Sequence, residues 1–214
     1  MKNDKKKRVL KIIENLNETF GYIKCPLKFS NPFELLVSVV LSAQCSDERV
    51  NKITENLFKK YKYLQDYANA DISEFESYIK PAGFFRSKAK NIIKSAQIVL
   101  KLHNGEVPQT MEDLIRLPGV ARKTANVVLG HAFCKVEGIA VDTHVTRIAN
   151  LLKLTKHENP IKIEIDLMAI VPKQYWINFS LLIQTLGRKI CKARNPRHAG
   201  CSLNKICPSV NKLF

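Results

Sequence analysis

Apolar positions recur along nearly the whole chain at the three-and-four spacing of amphipathic helices. Over residues 33–43, Phe33, Leu36, Val37, Val40 and Leu41 fall on one face. Ser46 or Asp47 can cap the next helix, which runs to about Lys60 with Val50, Ile53, Leu57 and Phe58 inward. Asp71 with Glu74 and Thr110 with Asp113 have capping-box spacing. The first opens a helix through FESYI, the second a short helix ending at Leu117. Ser87 can cap a helix through Leu102, with Ala89, Ile92, Ile93, Ala96 and Leu100 apolar. Further helices are predicted over 122–133, from an Asp142 cap to about Leu154, over 160–170 and over 173–190, the last with Phe179, Leu182, Ile183 and Leu186 on one face. Residues 6–16 are basic and amphipathic, and only 138–141 reads as extended. The pattern predicts an all-α chain.

Composition narrows the partners. At 214 residues and 45% hydrophobic, the chain is long enough for one large domain or two smaller ones with packed interiors. Its formal charge is +16, from 35 Lys and Arg against 19 Asp and Glu, which draws polyanions and leaves the fold open. Nucleic acid, an anionic membrane surface and an acidic protein are the classes this admits. No run of about 18 apolar residues is present, which excludes a bilayer-spanning helix. The basic start MKNDKKKRVL lacks the apolar segment of a secretory signal, so a cytoplasmic, nucleoid-associated location is expected. Of six cysteines, Cys25, Cys45 and Cys134 are isolated, while Cys191, Cys201 and Cys207 fall within seventeen residues. In a reducing compartment such a group more often holds a metal than a disulfide.

The stretch LPGVARKTANVV, residues 117–128, joins two of the predicted helices. Pro118 fixes one backbone angle and Gly119 permits a left-handed turn. Amide N–H groups at the start of the second helix then point the same way, a ready site for a phosphate oxygen that Arg122 and Lys123 would reinforce. The plain alternative is an ordinary helix–helix corner.

The motifs LLVSVVLSAQCSDERVNK, GFFRSKAKNI, NGEVP, LPGVARKTANVVLGHAF and VDTHVTRI together resemble the helix-hairpin-helix DNA glycosylases, and within them the bacterial endonuclease III branch. The resemblance runs from about Phe33 to Cys207. It implies a bundle over residues 25–135 that carries the hairpin. A second helical domain, formed by 1–24 and 136–214, would hold a C-terminal cluster loop. Hairpin amides at Gly119 and Ala121 would bind the DNA backbone; family members usually have Gly where this chain has Ala121.

Lys123 lies in the first turn of its helix, and Asp142 begins the next. That helix is about 16 Å long, and the residues after it can span about 30 Å, so the chain can return Asp142 to Lys123. With an ordinary pKa of about 10.4, fewer than about one lysine in a thousand is neutral at pH 7. Lowering it to about 8 corresponds to about 3 kcal/mol of preference for the neutral form. Taken singly, Lys123 reads as a backbone-contact lysine and Asp142 as a helix cap. The resemblance makes Lys123 the Schiff-base nucleophile and Asp142 the catalytic aspartate. It implies excision of an oxidised pyrimidine, then β-elimination on the 3′ side. His144 is a supporting residue that hydrogen-bonds locally or touches phosphate.

Chemistry at C1′ requires the nucleotide to leave the stack. Gln44 can satisfy an orphaned base, and Phe84 can act as an apolar wedge; the plain readings are a helix-end cap and a core residue. The resemblance raises both, with Phe84 at a position commonly Leu, and places Ser87 and Lys88 near phosphate.

The C-terminal spacing is Cys191, six residues, His198, two residues, Cys201, five residues, Cys207. Relatives that bind [4Fe-4S] have this spacing with cysteine at all four places. Three thiolates and an imidazole suit either an iron–sulfur cluster or structural zinc, and a vestigial, merely packed site is the third reading. The expected partner is double-stranded DNA with damaged bases or abasic sites, met by a monomer with no membrane role. The rivals are a non-catalytic helix-hairpin-helix DNA-binding protein and an iron–sulfur electron carrier.

Overall fold

The computed structural model describes residues 2–210. Among them are eleven α-helices: α1 (Lys2–Phe20), α2 (Pro32–Leu41), α3 (Asp47–Lys60), α4 (Leu64–Ala68), α5 (Ile72–Ile79), α6 (Phe85–Leu102), α7 (Met111–Ile115), α8 (Arg122–Phe133), α9 (Thr143–Leu151), α10 (Pro160–Met168) and α11 (Trp176–Lys189). Short 3-10 turns occupy Lys80–Ala82, Lys173–Tyr175 and His198–Gly200. The described residues contain no strand, as the helical periodicity predicts. The chain divides into two compact units, Cys25–Glu137 and the remainder.

The Cys25–Glu137 unit is built around α2. Every residue from Phe33 to Leu41 is buried, so this helix is apolar on all sides and must lie inside. Asn31 caps it by accepting the Glu34 N–H at 2.9 Å, and Pro32 opens its first turn. α2 packs against α8, α3 and α6, while α6 also carries α4 and α5. Phe33, Tyr61, Tyr67 and Phe75 meet mostly edge-to-face, with centroids 5.1–6.2 Å apart.

In the second unit α1 lays Val9, Ile12, Ile13 and Leu16 into a core shared with α9 and α11. The Arg8 guanidinium donates to the Leu152 carbonyl at 2.8 Å and so satisfies the C-terminal end of α9. Gly187 lets α11 approach α9: a Cβ there would fall 3.0 Å from His144 Nδ1.

Several boundaries differ from the periodicity. α1 covers Lys2–Phe20 rather than 6–16, because polar residues at both ends extend it beyond its buried stripe. α7 stops at Ile115, α9 at Leu151 and α10 at Met168, and residues 173–190 split into a 3-10 turn and α11. α4 has no readable periodicity over five residues; Asp66 stabilises its start by accepting the Lys62 and Tyr63 N–H groups at 2.9 and 2.8 Å. Residues 138–141 form no strand. Ile139 and Val141 are buried, and the Ala140 carbonyl accepts from Ser180 Oγ at 3.0 Å instead of from a neighbouring strand.

Phe75 is fully buried within the aromatic group. Phe75→Ala is expected to destabilise the protein by about 3–5 kcal/mol, read from urea unfolding.

Candidate functional site

The hairpin at 117–122 has the conformation its sequence predicts. Gly119 takes φ +76, and an added Cβ would come 2.7 Å from Asn91 Nδ2, so the position excludes other residues on two grounds. Ser95 Oγ donates to the Pro118 carbonyl at 3.2 Å. α8 then starts from Ala121 with no side-chain cap and no acidic residue in its first turn. A helix start of that kind favours an anion through its amides and its dipole. Ala121 sits at φ −89 and ψ 167, ordinary extended backbone, so its Cβ costs nothing and glycine is not required. Arg122 and Lys123 follow in the first turn, both half-buried.

Lys123 is within electrostatic reach of Cys25. Burial raises the Cys25 thiol pKa, and the Lys123 charge is one of the influences opposing that rise. Asp142 belongs to the other unit, where it caps α9 by accepting the Val145 N–H at 2.8 Å. The cap reading is therefore correct, and it leaves Asp142 Oδ2 uncommitted to this bond. His144 is half-buried, and burial lowers its pKa; Asp142 opposes this while Arg188 and Arg147 reinforce it.

Gln44 and Phe84 occupy exposed loop positions, and both have left-handed backbone, at φ 55 and φ 48. Phe84 is 68% exposed, which disposes of the core reading. It also corrects the cap of α6: Phe84 rather than Ser87 is the residue before the helix, and Ser87 lies exposed in the first turn.

Lys88 is a second correction. It is 6% exposed, and its ammonium donates to three main-chain carbonyls, Leu41 at 2.9 Å, Ala43 at 2.8 Å and Ala82 at 3.0 Å. An ammonium has three donors and all are used, so Lys88 has none left for phosphate. A lysine's neighbours cannot be read from its position in the sequence.

At the C-terminus, Cys191, His198, Cys201 and Cys207 line one cavity whose other walls include Ile148, Leu151, Leu152, Leu186 and Leu203. Burial raises the pKa of Cys191 and of Cys201; Arg147 opposes this at Cys191, its guanidinium 3.9 Å from the sulfur. Arg147 also donates to the Gly187 carbonyl at 3.3 Å, tying α9 to α11 beside the cavity. Among the described residues, no three His, Cys, Asp or Glu side chains are grouped tightly enough to hold a metal ion. Three thiols and an imidazole around one apolar-walled space are a donor set of the kind that holds a metal group. Asn91, Ser95 and Arg147 escaped the sequence reading, although all three stand in or beside quoted motifs.

Residues 37–173 match the HhH-GPD superfamily base excision DNA repair protein. The chain belongs to this family. It is 48% identical to endonuclease III of Synechocystis sp. over 96% of this chain and 94% of that one. Against endonuclease III of Escherichia coli (strain K12) the identity is 40%, over 97% and 98%. A solved structure of a trapped covalent intermediate between endonuclease III and DNA superposes with a TM-score of 0.92 at 40% identity, covering 97% of each chain. The resemblance read from the motifs is borne out, and with it the helix-hairpin-helix glycosylase fold. The chain is thus a DNA glycosylase of base excision repair, and the endonuclease III proteins it resembles are known for a [4Fe-4S] cluster. No described helix is long and apolar enough to cross a membrane.

Two substitutions separate the hairpin's requirements. Left-handed backbone costs an L-residue about 1–2 kcal/mol, so Gly119→Ala should lower stability by at least that much and weaken duplex binding. Ala121→Gly should change stability by only a few tenths of a kcal/mol and leave affinity within about twofold. Urea unfolding and fluorescence anisotropy on a duplex containing an abasic site read the two effects.

Proposed function

We propose that the chain removes oxidised pyrimidines from duplex DNA and cuts the strand at the resulting site, with Lys123 as nucleophile and Asp142 as its acid–base partner. The observation that carries this reading is the uncapped start of α8 behind the Gly119 turn, with Lys123 in the first turn. A backbone phosphate held by those amides would bring the adjoining deoxyribose to the lysine.

The Lys123 amine attacks C1′, and the N-glycosidic bond breaks with its electron pair leaving on the base, which takes up a proton. Asp142 receives the proton released from the amine or stabilises positive charge developing on the sugar. The C1′–O4′ bond then opens, its electron pair leaving on O4′, which takes up a proton, and C1′ becomes an iminium of Lys123. Loss of a C2′ proton from this iminium expels the 3′ phosphate by β-elimination, and water hydrolyses the C1′–N bond to release the enzyme. Gln44 and Phe84 fill the space that the extruded nucleotide leaves. Gly119, Ala121, Arg122, Ser87 and His144 contact the backbone around it. Association with the nucleoid follows from such a substrate.

Cys191, His198, Cys201 and Cys207 would hold a [4Fe-4S] cluster with one imidazole ligand. The four donors lining one cavity support a bound metal group, and the [4Fe-4S] cluster typical of the endonuclease III relatives favours iron over zinc. When bound, the cluster would stiffen a loop rich in Lys and Arg, and no step of the reaction passes through it.

Borohydride trapping on abasic duplex tests the chemistry. The intact protein should form a covalent adduct, and Lys123→Ala should form none. Asp142→Asn should slow single-turnover excision by about 10²–10⁴. An intact protein that binds DNA but gives no adduct is a non-catalytic binder. Metal analysis with absorption spectroscopy tests the cluster separately: about four irons per chain are expected, retained in His198→Cys, and stoichiometric zinc overturns the assignment.

A further inference from the structure

The three carbonyls bound by Lys88 belong to two separate loops. Leu41 is the last residue of α2, and Ala43 directly precedes Gln44. Ala82 ends the 3-10 turn before Gly83 and Phe84. One ammonium therefore joins the stem of the Gln44 loop to the stem of the Phe84 loop. It does so at helix C-termini, where carbonyls lack partners and the dipole favours a cation. Burial lowers the Lys88 pKa, and the nearby Cys45 opposes this.

Both residues beyond these stems are held in left-handed backbone without being glycine, at φ 55 for Gln44 and φ 48 for Phe84. Such conformations persist only when their surroundings fix them. The same face of α6 serves the third exposed turn, since Asn91 packs under Gly119 and Ser95 bonds to Pro118. Lys88, Asn91 and Ser95 are spaced by three and four residues and thus form one polar stripe.

We propose that Lys88 is a positioning residue that fixes the Gln44 and Phe84 loops relative to each other, so that both enter the duplex as one unit. This rests on the reading of Gln44 and Phe84 as the duplex-opening side chains. Lys88 touches no reacting atom. Its loss should impair work on paired DNA while sparing the lysine chemistry on a strand that needs no opening.

The test uses the full-length chain as purified and one oligonucleotide with a single abasic site, presented as duplex and as single strand. Lys88→Met keeps the buried stem and removes the donors. Its ratio of duplex to single-strand incision should fall at least about tenfold, a difference of about 1.4 kcal/mol. Amide hydrogen exchange should quicken together at Cys45 and Gly83, whose N–H groups bond within the two loops. Should Lys88→Met not fold, Lys88→Gln, which retains two donors, should move both readouts the same way by smaller factors. Equal loss on both substrates, or loosening of only one loop, overturns the proposal. Gln44→Ala and Phe84→Ala serve as the reference. If neither lowers the ratio, the duplex-opening reading itself fails; if they lower it and the Lys88 variants do not, only the strut fails.

Discussion

A buried ammonium is an expensive thing to place inside a protein, and its three carbonyl partners are what make Lys88 tolerable there. Charge-assisted bonds of this kind are roughly twice as strong as neutral ones, and removing the donor would leave three carbonyls needing water. The constraint works in both directions. The two loop stems must stay where the ammonium can reach them, and its hydrogen bonds are satisfied only while they do. Everything exposed beyond those stems inherits its position from this contact.

The same logic extends along α6. Its apolar face, Ala89, Ile92, Ile93, Ala96 and Val99, is pinned in the core of the Cys25–Glu137 unit. Its polar stripe is thereby held still, and three loops are hung from it: Gln44 and Phe84 through Lys88, Gly119 through Asn91 and Ser95. A rigid helix that supports exposed, left-handed turns allows large apolar side chains such as Phe84 to remain in solvent.

This arrangement also explains what could be read from the chain. Buried faces were legible because a helix core repeats every three or four residues: α8 is found at its expected bounds, and Asp71, Thr110 and Asp142 are the caps their spacing announced. The chemistry was legible because the motifs carrying it are local. Long-range polar contacts were not. Nothing near Lys88 in sequence says that its partners lie at Leu41 and Ala43, so among so many basic residues it reads as one more phosphate ligand. The Ser87 cap failed for a related reason: hydroxyl residues are the usual caps, and a left-handed phenylalanine in that role is visible only once the backbone is seen. Residues 138–141 read as extended, but a Ser180 hydroxyl rather than another strand answers the Ala140 carbonyl.

The departures from the family pattern can now be weighed one by one. At Ala121 the backbone is extended, so exchanging glycine for alanine gives up freedom that the turn never used; Gly119, two residues earlier, carries the whole left-handed requirement. At Phe84 the backbone is left-handed, so a side chain is held where glycine would be easier. At His198 an imidazole stands where relatives that bind [4Fe-4S] have cysteine, and it lines the same cavity as Cys191, Cys201 and Cys207. Ala121 thus falls where the backbone accepts a side chain at little cost, and His198 keeps a nitrogen donor on the cavity wall. Exposed positions tolerate change when the buried supports beneath them are untouched, and here the support of the Gln44 and Phe84 loops is the ammonium of Lys88.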